Sequence, residues 1–151
     1  MSSKASDLKA LRILFLALLA GQVMLGSIAV LINALRGSAL AADPDLARIF
    51  LILVPAVAVV LAGCSHILFR KRLEEIRQMT DSDALFLAYR AACIVRWALS
   101  EVPSLLAIIA YLLTGKTLLL AIAVALVIHF AIAYPSKDRV MADLQMSSEE
   151  M

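Results

Sequence analysis

The chain has 151 residues, of which 63% are hydrophobic and 17% charged, and its mean hydropathy is +0.93. That composition excludes an ordinary water-soluble domain and indicates a membrane protein. A formal net charge of +2 is too small for a nucleic-acid-binding surface, and the basic residues lie in short clusters between apolar runs, as the flanks of membrane spans do.

Crossing a hydrocarbon core takes about 20 helical residues, and four runs reach or approach that length. They are Leu11 to Leu35, Ala47 to Phe69, Ala84 to Leu113 and Thr117 to Tyr134. Lys4, Lys9 and Arg12 before the first run, and Ala39-Leu40-Ala41 after it, imitate a secretory signal. The run is much longer than the roughly 7 to 15 residues of a signal core, so it is expected to remain as an uncleaved first helix. In the loop that follows, Asp43 is a candidate N-cap and Pro44 suits the first helical position of the second span.

After the second span, residues 70–79 keep helical propensity beyond the membrane, with Arg70 and Glu74, and Lys71 and Glu75, spaced to pair four apart. Thr80-Asp81-Ser82-Asp83 then breaks the helix and caps the next, giving a helical hairpin loop over 70–83. Thr114-Gly115-Lys116 is the whole turn between the third and fourth spans, which makes those two antiparallel neighbours. The polar tail 135–151 carries Val140, Met141 and Leu144 at helical spacing and is expected to form a short solvated or interfacial helix, with a partner-docking helix as the alternative, and a frayed tip at Ser147–Glu150. With both termini cytoplasmic, the inner side holds Lys4, Lys9, Arg12, Arg70, Lys71, Arg72, Arg77, Lys137 and Arg139, and the outer side only Arg36, Arg48 and Lys116. That asymmetry sets the expected orientation. The expected fold is therefore all-α, a single-domain integral-membrane four-helix bundle with both termini cytoplasmic.

Of the acidic residues, Glu101 alone lies deep in an expected span. A charge at the bilayer centre costs at least about 2.5 to 3.5 kcal/mol on insertion scales, so such a residue faces protein, water or a partner and is a functional candidate. The competing reading is an interhelical hydrogen-bonding or assembly residue. At 100° per residue Arg90, Ile94, Trp97, Glu101, Ser104 and Ile108 share one stripe, whereas Arg96 points about 140° away from Glu101, so the two charges are not a simple intrahelical pair. Arg96 is expected to snorkel or to reach another helix. Pro103 has no N–H for the Leu99 carbonyl and is expected to bend the helix, with Ser100 and Ser104 flanking the break.

On the first span, Gln22, Gly26, Ala29 and Asn33 form a small, polar face suited to close packing. Gln22 falls at the depth of Glu101 and is expected to face it. Glu101, Gln22, Ser100 and Ser104 thus make up the candidate ion or proton site. His66 and His129, near the cytoplasmic ends of their helices, are a candidate relay. Residues two apart on a helix point to different sides, so Cys64-Ser65-His66 is not a metal pair, and no metal or cofactor is expected. Cys64 and Cys93 read as buried small hydrophobes, and Trp97, Tyr89, Tyr111 and Tyr134 as belt or packing residues. No Ser-His-Asp, Cys-His or paired-carboxylate arrangement points to an enzyme.

Tyr89-Arg90-Ala91-Ala92, the segment Ile94 to Pro103 (IVRWALSEVP), Leu113-Thr114-Gly115 and Tyr134-Pro135-Ser136-Lys137-Asp138-Arg139 resemble a group of small bacterial inner-membrane proteins with four spans. The resemblance implies a multi-pass protein of that membrane and no particular activity. More locally, the second and third spans resemble the proton-carrying c-subunit hairpin of rotary ATP synthases, in which a polar loop joins two helices and the second carries a membrane-embedded carboxylate. Glu101 matches that carboxylate in context, Ala98-Leu99-Ser100 its apolar approach, and Arg77-Gln78 the start of the family's Arg-Gln-Pro loop. Met79 stands where that loop has proline, and the second span lacks a dense glycine repeat. The expectation is an interaction or accessory protein of the inner membrane, whose partners are the lipid bilayer and either copies of itself or a larger membrane complex, not nucleic acid. The alternative is a proton- or cation-coupled component that uses Glu101. A lipid or small apolar ligand held between helices is a third reading.

Overall fold

The computed structural model describes residues 2–36 and 44–145, and among them the only regular structure is helical. The helices are α1 (Ser2–Arg36), α2 (Pro44–Ile76), α3 (Ser82–Thr114), α4 (Thr117–Ile132) and α5 (Lys137–Leu144). Three stretches, Leu8–Leu35, Pro44–Ile76 and Ala84–Thr114, are long and apolar enough to cross a membrane. The expected outer loop with the Asp43 cap, and the tip at 147–150, lie outside the described residues.

The fourth run is shorter than its sequence suggests. α4 stops at Ile132, and its 16 residues rise only about 24 Å against a core of about 30 Å. It meets α5 at a bend of 70°, because Pro135 cannot extend the helix and Ser136 starts a new one by accepting the Arg139 N–H at 3.2 Å. Four spans are reached only when α4 and α5 are taken together.

Pro44 opens α2, where its missing N–H falls among groups that have no intrahelical acceptor. Between α3 and α4 the chain turns at Gly115, whose φ of +63° is the left-handed conformation that ends helices at a glycine. The Gly115 N–H donates to the Tyr111 carbonyl at 2.8 Å. Asn33 Nδ2 of α1 donates to the same oxygen at 3.1 Å, tying α1 to the turn.

α3 packs against α2, α4 and α1. At the end nearest the chain's N-terminus, Phe15 stacks on Phe130 with centroids 4.8 Å apart and meets Trp97 edge-on at 5.1 Å. At the opposite end Ala29, Val54, Ala107, Ala110 and Ala123 bury against Ile108, Tyr111 and Leu119; small side chains there let the helices approach closely. Many large apolar residues on the outward faces, such as Ile13, Ile52 and Val59, stay exposed, as lipid-facing residues do.

α5 forms where a short solvated or interfacial helix was expected, and its apolar side packs on the protein itself. Val140 and Leu144 are buried in the same cluster as Leu73, Ile76 and Phe86. Tyr89 donates to an Asp143 carboxylate oxygen at 2.8 Å, and Arg77 Nε to the Asp143 carbonyl at 2.8 Å. The tail therefore docks on its own α2–α3 hairpin. On that hairpin the expected pairs four apart do not form; Arg72 and Glu75 approach to 3.7 Å with both side chains exposed, a contact worth little in water.

Candidate functional site

The sequence-derived site divides into an interior part and an outward part. Gln22 is only 1% exposed and lies on α1 against α3. Ser104 Oγ sits 2.6 Å from Gln22 Oε1 and 2.8 Å from the Glu101 carbonyl oxygen. A hydroxyl has one proton, so Ser104 serves one of these acceptors at a time. Gln22 Nε2 has no partner among the described residues. Gln22 thus reaches Glu101 through Ser104 and the backbone; no hydrogen bond joins it to the carboxylate.

The Glu101 side chain is partly exposed. It is bordered on α3 by the exposed Ala98 and Val102, and forms neither a hydrogen bond nor an ion pair among the described residues. Pro103 lies within the continuous helix α3 and is buried. Ser100 turns to the other side and donates to the Arg96 carbonyl at 2.9 Å, the ordinary resting place of a serine hydroxyl four residues along a helix. Arg96 crosses to α2, its guanidinium 4.5 Å from the Phe69 ring centroid, in the range of a cation–π contact.

The two histidines, separated by 63 positions in sequence, open onto one cavity of about 230 Å³ between α2, α3, α4 and α5, walled also by Ser65, Arg96, Ser100 and Arg139. Ser65 and Arg139 were not singled out by the sequence. The signal for Arg139 was the Tyr134-Pro135-Ser136 break: a helix capped at Ser136 turns back on α4, and Arg139 Nη1 donates to the Ile132 carbonyl at 2.7 Å. Cys93 is buried as expected, whereas Cys64 is exposed on the outer face of α2. No group of three His, Cys, Asp or Glu side chains is placed to hold a metal among the described residues.

On the other side of Gln22 an apolar groove of about 600 Å³ runs between α1 and α4, walled by Gly26, Val30, Ile108, Ala123 and Val127. Its size falls in the about 300–1,000 Å³ range of small-molecule sites.

Together these features define an all-α, multi-pass membrane protein. No family model, curated protein or solved structure matches the chain; the structure contains a hairpin of apolar helices, α2 and α3, which by itself confirms neither resemblance.

Proposed function

We propose that the chain is a small inner-membrane protein of interaction or accessory type. It is a four-helix bundle in which α4 makes the fourth crossing and α5 lies on the cytoplasmic side against the α2–α3 hairpin, both termini face the cytoplasm, and α3 assembles through the face bearing Glu101 with a second copy or a larger membrane complex. The observation that carries this reading is the partly exposed, unpartnered carboxyl of Glu101 near the middle of the α3 span. Lipid offers such a group no hydrogen-bond donor, and covering it by a protein partner removes the penalty.

The test is cross-linking from Ala98 and Val102, beside Glu101, in native membranes, with the mass of the purified particle measured in parent, Glu101→Gln and Glu101→Leu proteins. A cross-linked product that Glu101→Leu diminishes and Glu101→Gln partly retains supports assembly; a monomeric parent without any cross-linked product overturns it. The same exposure, with Ser100 lining the cavity that holds His66 and His129, supports a second reading in which Glu101 exchanges a proton or cation. Ion flux through liposomes that Glu101→Gln abolishes would select that reading instead.

A further inference from the structure

The cavity between α2, α3, α4 and α5 gathers donors without an acid to balance them. Arg96 and Arg139 supply two guanidinium groups and His66 and His129 two imidazoles, and no carboxylate lines the wall. Neither arginine has an ion-pair partner among the described residues: Arg96 lies over the Phe69 ring, and Arg139 places one N–H on the Ile132 carbonyl. A guanidinium has five N–H donors in a planar fork suited to oxyanions, so both retain free donors. Each histidine, for which no hydrogen bond is formed among the described residues, adds at least one ring N–H in either protonation state. The hydroxyls of Ser65 and Ser100 are committed to the Arg96 carbonyl at 3.3 and 2.9 Å and hold that turn of α3 in place.

Depth completes the argument. His66 is four residues, about 6 Å along the helix, from the run Arg70-Lys71-Arg72 that flanks the span. The cavity is therefore at the level where hydrocarbon gives way to headgroups, and basic pockets between helices at that level suit anionic headgroups. Its volume of about 230 Å³ is several times the about 30 Å³ share of one water, enough for a phosphate group and not for a whole lipid.

We propose that this cavity is an oxyanion site that takes a phosphate group, carried by a lipid headgroup or free in solution. Arg96 and Arg139 grip the oxygens from two sides, and His66 and His129 close the remaining directions.

The full chain in a neutral detergent is melted against inorganic phosphate, with chloride holding the ionic strength constant, and separately against added phosphatidylglycerol or phosphatidylcholine. A ligand that binds only the folded state raises the melting temperature. The expected result is a rise with phosphatidylglycerol, whose half-saturating concentration increases at least about tenfold in Arg96→Gln/Arg139→Gln, as loss of charge-assisted bonds predicts. His66→Ala/His129→Ala shifts it in the same direction, and Arg70→Gln/Lys71→Gln, which removes as much charge from the exposed flank as the arginine pair does from the cavity, leaves it unchanged. A rise with inorganic phosphate as well identifies the free ion as a sufficient ligand; a rise with phosphatidylglycerol alone identifies the lipid. No rise with either ligand, or a rise that survives the histidine pair and the arginine pair alike, overturns the proposal. If the arginine pair does not fold, the histidine pair decides.

Discussion

Replacing Gln22 with methionine removes a buried polar side chain from the middle of a membrane protein, and the structure predicts that this stabilises the fold. Gln22 makes one short contact, with Ser104 at 2.6 Å, and its other amide atom has no partner. Turning the carboxamide by half a turn lets Nε2 donate to Ser104 and Ser104 donate to the Glu101 carbonyl, but Oε1 is then the unpaired atom. Either orientation leaves one atom unsatisfied. Interhelical hydrogen bonds in a membrane average about 0.6 kcal/mol, whereas an unsatisfied buried polar group costs about 1–3 kcal/mol. Methionine keeps the unbranched shape that packs beside Gly26 and Ile108, and Ser104 keeps the Glu101 carbonyl at 2.8 Å. The net expectation for Gln22→Met is a gain of roughly 1 kcal/mol. Ser104→Ala strands both amide atoms and should lose about 1–3 kcal/mol, a loss that largely disappears in the double variant. Reversible unfolding in mixed micelles, read as midpoint and slope, measures all three. A loss of more than about 1 kcal/mol in Gln22→Met would refute the reasoning, because the amide would then have a partner in the membrane, either a molecule in the α1–α4 groove or a neighbouring chain.

Tyr89→Phe should loosen the tail without unfolding the spans. The lost bond goes to a carboxylate at 2.8 Å and is worth about 1.5–3 kcal/mol, at the lower end here because Asp143 is only half-buried and can hydrate. Faster proteolysis or hydrogen exchange over residues 133–145 is the expected reading, and unchanged protection of α5 counts against the docking described above. At Gly115 an added Cβ would come no nearer than 3.7 Å to Asn33 Oδ1, so the cost of substitution is backbone strain alone. Gly115→Ala should cost about 1 kcal/mol and Gly115→Asn less, since asparagine tolerates the left-handed region; equal melting temperatures for the two would contradict this.

The helices were legible because hydrophobic length is a strong signal, and so was the α3–α4 turn, because Thr114-Gly115-Lys116 leaves no other geometry. The inward face of α1 was legible from its small and polar residues: Gln22 and Ala29 are buried, and Gly26 and Asn33 are half-buried. The position of Glu101 was read only in part. The helical wheel put it on the stripe with Arg90, Ile94, Trp97, Ser104 and Ile108, of which Trp97, Ser104 and Ile108 are buried, whereas Ile94 is exposed and Arg90 and Glu101 are half-buried. A period of 3.6 gives an angle and not the place where the neighbouring helix ends. The end of α4 was misjudged by hydropathy, since Ala133 and Tyr134 continue the apolar run after the backbone has turned toward Pro135. The sequence put His66 and His129 at the same end of the bundle, but not onto one cavity, because that depends on which faces of α2 and α4 meet.

The short reach of α4 explains why cations collect at this end of the molecule. A helix that stops about 24 Å from its start leaves its last carbonyls and the following turn near the hydrocarbon boundary, where each unpaired group is expensive. The chain answers with long basic side chains: Arg139 covers the Ile132 carbonyl, and Arg12 Nε covers that of Pro135 at 3.2 Å. A lysine supplies one point charge, but a guanidinium that caps one carbonyl still points other N–H groups elsewhere. Those remaining donors of Arg139 face the cavity that Arg96 reaches from α3. Capping a short helix and building an oxyanion site are therefore one structural solution, which predicts that Arg139→Lys keeps the bend between α4 and α5 while weakening phosphatidylglycerol binding.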